Sequence, residues 1–366
     1  MKSLHIMGSA SAGGIAAVVL NYWKYMDAKE YSFDIALYTE PGMLGQKLIS
    51  MGARCFKLPP KHLGIKAHCD ALRALLTEHH YDAVHVHGAD TAYVSLRVAK
   101  RCGVKIRIAH SHSAAKNKTL NQRLRLAASA ILNPIYATDL LACGRLAGER
   151  CYGKLNTKRK MFTVLPNAID TERFAFDPAA RERVRRELGV SDKYVIGMVG
   201  RLSPQKNIPF ALNVIRALHE RVPDSALLVV GVGEQQKELE RTIEENSMAD
   251  YVRLLGKHAD VENYYQAFDL LLMPSLYEGF PVVGVEAMAS GLPIVLSDTI
   301  TDELNFGDDV YFLPLGNAAQ WATLLQELRP KTDPALRTQR QRRVKENGFE
   351  IRDAAKKLEA IYSSKE

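Results

Sequence analysis

Residues 194–207 run Tyr194-Val195-Ile196-Gly197-Met198-Val199-Gly200-Arg201-Leu202-Ser203-Pro204-Gln205-Lys206-Asn207, and helical spacing of apolar residues takes over from Ile208 to Arg221. An almost continuous apolar run, a glycine, a polar loop with two cations and then a helix make the opening of a βα unit whose strand is covered on both faces. The pattern repeats downstream. Strands are expected at Ala226 to Val230, Val252 to Leu255, Leu270 to Met273 and Pro293 to Leu296, with helices at Gln235 to Glu245, Val261 to Ala267 and Val282 to Ala289. Alternation of this kind implies an α/β domain built on a parallel sheet.

The first half reads the same way. Leu4 to Met7, Phe33 to Tyr38, Ala53 to Phe56, Ala83 to Val86, Lys105 to Ala109, Leu140 to Ala142 and Phe162 to Leu165 are strand-like, and Ile15 to Met26, His62 to Leu76 and Tyr93 to Lys100 have helical spacing. Pro166-Asn167-Ala168-Ile169-Asp170 breaks the pattern. The expected organisation is a first α/β domain over 1–170, a connector over 171–192, a second over 193–345 and a terminal amphipathic helix over 346–366 that either ends the chain simply or returns to brace the first domain. Two such sheets in tandem are expected to share a crevice at the carboxyl ends of their strands.

Composition narrows the class. The opening apolar run Met1 to Met7 is too short for a signal peptide or a bilayer-spanning helix, so a cytoplasmic enzyme is expected. Cys55, Cys69, Cys102, Cys143 and Cys151 are scattered and odd in number, which excludes a disulfide framework or a CxxC metal site. The net charge of +8 gathers in the first half, at Lys100, Arg101, Lys105, Arg107, Lys116, Lys118, Arg123, Arg125 and Lys154 to Lys160. That bias suits peripheral contact with the anionic inner face of a membrane, although a soluble surface explains most lysines equally well. Nucleic acid is not expected as a partner.

Several loops carry candidate chemistry. Arg201 and Lys206 offer a planar fork and a point charge to one pyrophosphate. Pro281 opens a helix after Glu278-Gly279-Phe280, and Glu286 lies about one turn inside it, where a carboxylate needs hydroxyl donors such as those of a ribose. Gly13 and Gly14 join the first strand to the first helix, and there the backbone can approach an anion, although the spacing is neither GxGxxG nor a P-loop. His110 and His112 end a strand, and with no third ligand apparent nearby they suit hydrogen bonding or proton transfer better than zinc. His85 and His87 form a second pair on one sheet face, where a structural role weighs at least as much as a catalytic one.

Taken together, Gly200-Arg201-Leu202 with Lys206-Asn207, Gly231-Val232-Gly233, and Glu278-Gly279-Phe280-Pro281 with Glu286-Ala287 resemble the retaining GT-B glycosyltransferases of family 4, the glycosyl transferases group 1, which make bacterial exopolysaccharide, capsule and lipopolysaccharide. The resemblance implies a GT-B fold of two facing Rossmann-like domains with an interdomain cleft, and transfer of a hexose or N-acetylhexosamine from a nucleotide sugar, with uridine the favoured base, to a glycan or polyprenyl-linked acceptor. It assigns the donor diphosphate to Arg201 and Lys206, the ribose to Glu286, sugar hydroxyls to Glu278, and the rest of the cradle to backbone around Phe280, Val282 and Val283. Gly13-Gly14 match the family's first-domain phosphate loop, and His110 best matches its sugar-facing histidine, with His112 the alternative. No metal or other cofactor is required by this pattern. Ala168 departs from the family's proline-asparagine-glycine-valine-aspartate connector. An epimerase or hydrolase on the same scaffold, or a non-catalytic subunit that binds sugar nucleotides, are the alternatives.

Overall fold

A computed structural model of the chain describes residues 1–10, 14–112, 119–154, 156, 161–278, 280–329 and 334–364. The chain divides into two compact units, Met1–Ala168 with Glu350–Glu366, and Ile169–Phe349.

The first unit contains β1 (Lys2–Met7), α1 (Gly14–Tyr25), β2 (Ser32–Leu37), α2 (Met43–Ser50), β3 (Cys55–Lys57), α3 (Ile65–Glu78), β4 (Ala83–His87), α4 (Ala92–Arg101), β5 (Ile106–Ser111), α5 (Leu120–Tyr136), β6 (Asp139–Ala142), α6 (Arg145–Tyr152) and β7 (Thr163–Val164). Its sheet has the order β3-β2-β1-β4-β5-β6-β7 with every pair parallel. The central strands are buried along most of their length because helices cover both faces. α5 begins on a reciprocal cap in which the Thr119 hydroxyl accepts from Gln122 N and the Gln122 side chain accepts from Thr119 N.

The second unit begins with α7 (Pro178–Glu187) and continues through β8 (Tyr194–Val199), α8 (Ile208–His219), β9 (Ser225–Val230), α9 (Gln236–Glu245), β10 (Val252–Gly256), α10 (Val261–Ala267), β11 (Leu270–Met273), α11 (Val282–Ala289), β12 (Ile294–Ser297), β13 (Val310–Leu313), α12 (Ala318–Glu327) and α13 (Pro334–Glu346). Its parallel sheet has the order β10-β9-β8-β11-β12-β13. Trp321 of α12 is fully buried against Phe210 of α8, and its indole N–H donates to Pro314 O at 2.9 Å.

One boundary differs from the sequence reading, and one of the two alternatives for the last helix is realised. The stretch 171–192, expected as a connector, belongs to the second unit, because Arg181 and Arg185 of α7 both bind Asp269 at the foot of β11 while Asp269 also accepts from Val195 N at 2.8 Å. The last helix, α14 (Ile351–Ser363), belongs to the first unit. Its buried face of Ile351, Ala354, Ala355, Leu358 and Tyr362 packs on Val18, Tyr22 and Met26 of α1 and its exit. Burying a side chain of Leu358's size contributes about 1.5–3 kcal/mol.

Candidate functional site

In the second unit the strand order reverses between β8 and β11, the place where open parallel sheets hold ligands beyond their carboxyl ends. The loops that leave these two strands are tied together. Leu276 N donates to Gln205 O at 2.8 Å, Gln205 Nε2 donates to Tyr277 O at 3.0 Å and to Glu278 Oε2 at 3.1 Å, and Lys206 Nζ donates to Glu278 Oε1 at 2.7 Å. The Lys206 and Glu278 side chains are 16% and 9% exposed, so this charge pair is largely desolvated. Removing one member would strand the other, at a cost that can reach about 3–5 kcal/mol.

Glycine permits this packing. Gly200 has φ +146, and a Cβ there would stand 2.8 Å from Lys206 Cε. At Gly231, with φ +145, a Cβ would stand only 1.8 Å from Gly200 O, so the turns after β8 and β9 meet backbone to backbone. Arg201 behaves differently from Lys206. Its side chain is 73% exposed, and its Nε donates to Glu234 Oε2 at 3.0 Å.

α11 starts at Val282 behind Pro281 and has no side-chain cap, which leaves the first-turn amides of Val282 and Val283 facing an anion-favouring helix start. Phe280 is buried and stacked on Phe349 at 5.1 Å, so its backbone rather than its ring is what a ligand could meet. Glu286 sits one turn into α11, where Tyr265 Oη of α10 donates to its Oε2 at 2.7 Å. Among the described residues Tyr265 alone donates to this carboxylate. Burial raises its pKa, and the Tyr265 hydroxyl and the Arg173 charge pull it partly back.

The first unit's sheet reverses between β1 and β4, and a run of histidines crosses that point. His5 is in register with His85, and His87 with His110, so all four side chains share one face, and His112 follows two residues beyond His110. The rings are hydrogen-bonded in series. His112 Nε2 meets His87 Nδ1 at 2.9 Å, His87 Nε2 meets His5 Nδ1 at 3.0 Å, His5 Nε2 meets Tyr362 Oη at 3.1 Å, Tyr362 Oη meets His85 Nδ1 at 2.9 Å, and His85 Nε2 meets His110 Nδ1 at 3.1 Å. A mismatched contact in such a buried series costs about 1–3 kcal/mol. Burial holds the pKa of His5 down to about 3 and of His112 down to about 4, and it drives His85, His87 and His110 well below the ordinary value with the neighbouring imidazoles adding to the effect.

This arrangement corrects one expectation, that His110 and His112 lack a third nitrogen nearby. Ligand atoms of His87, His110 and His112, and of His5, His85 and His87, lie within 4.8 Å of one another. Hydrogen bonds already engage most of these nitrogens.

Comparison with known proteins decides the family. Residues 12–173 match the model of Glycosyltransferase Family 4, and residues 193–329 match that of Glycosyl transferases group 1. The chain is 33% identical over 315 residues to the putative glycosyltransferase EpsF of Bacillus subtilis, covering 84% of this chain and 81% of the relative. The chain belongs to glycosyltransferase family 4. The transferase is also 28% identical over 311 residues to a UDP-Gal:alpha-D-GlcNAc-diphosphoundecaprenol alpha-1,3-galactosyltransferase of Escherichia coli, covering 81% and 79% of the two chains. Its fold matches Anabaena HepE in complex with UDP, with a TM-score of 0.84, 20% identity and full coverage of both chains. It also matches the GT-B enzyme WaaG of lipopolysaccharide biosynthesis, with a TM-score of 0.72, 16% identity and 99% coverage of both chains.

In the transferase, Lys206, Glu278, Val282, Val283 and Glu286 all lie on the loops and helix that follow β8 and β11. Arg201 shares the loop with Lys206 but turns to Glu234. Gly14 is the exposed first residue of α1 with open space where a Cβ would be, while Gly13 and Gly279 lie outside the described residues. His110 is 2% exposed and bonded within the sheet, whereas His112 at the strand exit is half-buried. Sequence reasoning missed Gln205, Tyr265, His5 and Tyr362. Gln205 lay inside a motif already singled out, and the other three had no local signal.

Proposed function

We propose that the transferase moves a hexose or N-acetylhexosamine from a UDP-sugar to a glycan or polyprenyl-linked acceptor in surface-polysaccharide synthesis, with retention and without a metal. The observation that carries this reading is the desolvated Lys206–Glu278 pair beside the uncapped start of α11 and the Tyr265-oriented Glu286. A fixed cation and helix amides beside the departing diphosphate supply charge stabilisation of the kind a metal supplies elsewhere. Lys206 and the amides of Val282 and Val283 hold the diphosphate, Arg201 turns from Glu234 to join them, Glu286 takes the ribose and Glu278 takes sugar hydroxyls. The backbone of Phe280 completes the cradle in the second unit. Of the two candidate histidines, His112 is assigned to the sugar because His110 is enclosed by the sheet.

Chemically, the bond from the anomeric carbon to the β-phosphate oxygen breaks, the acceptor oxygen bonds to that carbon on the vacated face, and the β-phosphate oxygen takes the acceptor's proton. The donor assignment is supported by its relatives, which include a UDP-galactose enzyme acting on a diphosphoundecaprenol substrate and a fold neighbour in complex with UDP and glucose.

Peripheral contact with the cytoplasmic face of an anionic membrane suits such an acceptor. Among the described residues no helix is long and apolar enough to cross a membrane. On α5, however, Leu120, Leu124, Ile131 and Ile135 form an exposed stripe on one face, flanked by exposed Arg123. Radiolabelled UDP-hexoses and UDP-N-acetylhexosamines, incubated with and without polyprenyl-diphosphate-linked sugars and with EDTA, test the reading. Label should pass to the lipid fraction with the anomeric configuration kept and with EDTA harmless. Isomerised or hydrolysed donor without acceptor product would overturn it.

A further inference from the structure

The ring series in the first unit runs in one sense. From His112 through His87, His5, Tyr362 and His85 to His110, each contact leaves a ring by Nε2 and enters the next by Nδ1, with the Tyr362 hydroxyl as the single link that is not an imidazole. A neutral imidazole carries one N–H, so a ring that donates through Nε2 must accept at Nδ1. The rings on each side of Tyr362 therefore share one tautomer. With the Tyr362 O–H turned toward His85 every ring is Nε2–H, with it turned toward His5 every ring is Nδ1–H, and with it turned toward Ser3 the oxygen accepts from both His5 Nε2–H and His85 Nδ1–H.

The two ends select between these states. His110 Nε2 and His112 Nδ1 are buried and make no hydrogen bond of good geometry among the described residues. The group beside His110 is the Leu165 carbonyl, which can only accept. Beside His112 lies the Asn167 side chain, whose oxygen is also buried without a partner and whose amide can present either its oxygen or its NH2. Only the Nε2–H state suits both ends. We infer that Tyr362, His5, His85, His87 and His110 act as one positioning unit that locks His112 as the Nε2–H tautomer, with its Nδ1 an acceptor for the Asn167 amide.

Removing one oxygen should reverse half the series. In Tyr362→Phe the His5 Nε2–H loses its acceptor, and an orphaned buried N–H is avoided more strongly than an orphaned acceptor. The segment His5, His87, His112 then turns to Nδ1–H, with Asn167 presenting its oxygen, while His85 and His110 stay Nε2–H. His112 changes its tautomer without losing any atom it touches.

The test is long-range 1H–15N correlation of the histidine rings in the full-length chain, each ring assigned by the loss of its signals in a His→Asn variant. The wild type should show five Nε2–H patterns from these rings, and Tyr362→Phe should show three switched and two kept. Fewer than five Nε2–H patterns in the wild type, a count that needs no variant to fold, or an unchanged His112 in Tyr362→Phe would overturn the lock. So would stoichiometric Zn2+ uptake that abolishes these patterns, which would make the cluster a metal site. The lock's weight in catalysis rests on the reading of His112 as the sugar-facing residue, and kinetics separate the two. A several-fold fall in kcat with unchanged UDP affinity supports both, whereas a tautomer switch with unchanged kcat upholds the lock and removes His112 from the reaction.

Discussion

The two sheets reverse their strand order at equivalent points, β1 against β4 and β8 against β11, yet the two points carry opposite chemistry. In the first unit the polar groups lie on the sheet face itself, under helices α1 and α14, and are uncharged rings bonded to one another. In the second they sit beyond the strand ends, in loops, and are charged: Lys206 with Glu278, Arg201 with Glu234. The difference follows from solvation. A sheet face enclosed by helices tolerates polar atoms only when they are neutral and satisfied, whereas a loop at the strand ends can keep a charge because water, a counter-charge or an incoming ligand can reach it.

Acid should expose this contrast most strongly. Histidines whose folded pKa lies below the unfolded value near 6.5 leave the unfolded chain binding more protons, so stability is whole above about pH 6.5 and is lost as pH falls toward their folded pKa values. At pH 5 His5 and His112 each cost about 2 kcal/mol, and His85, His87 and His110, held well below the ordinary value by burial, add to the loss. Trp23 lies in the first unit and Trp321 in the second. Emission of Trp23, followed in a Trp321→Phe background, should report urea unfolding at far lower urea at pH 5 than at pH 7. Equal midpoints would mean that the rings are already charged in the folded protein.

A smaller effect is expected from Lys206→Ala. Loss of a charge-assisted contact to the donor should cost about 1.5–3 kcal/mol in kcat/KM, and Glu278, left without its cation, should add a measurable fall in Tm. A variant with normal donor use would move the diphosphate away from these loops. Arg201→Ala sharpens the same point, because its exposed pairing with Glu234 contributes under about 1 kcal/mol to stability, so any loss should appear in kinetics alone. The smallest change is Tyr265→Phe, which removes one hydroxyl from Glu286 and should weaken UDP binding by about 1 kcal/mol in a calorimetric titration, with the fold intact.

Both sheets were readable in the sequence because strands covered on two faces are written as largely apolar runs, unbroken in Leu270 to Met273 and interrupted only by Arg107 in Ile106 to Ala109. Elements without that signature escaped. α13 is polar almost throughout, β13 is only half-buried, and α5 turns its apolar stripe outward. At the site, residue types were legible and pairings were not. Lys206 and Glu278 are 72 residues apart, and Tyr362 stands 277 residues from His85, so only the folded sheet order reveals that they meet. His85 and His87 were visible as a pair on one face, but His5 stands alone in its strand and acquires meaning only through its register with His85.

The return of α14 to the first unit sets an order of assembly. Residues 169–349 are contiguous and can close their own core as soon as they leave the ribosome, while the first unit must wait, its α1 face bare, until residues 350–364 have been synthesised behind them. For that interval His5 and His85 stand beside a gap where the Tyr362 hydroxyl will later sit, a partner that follows His85 by 277 residues in the chain.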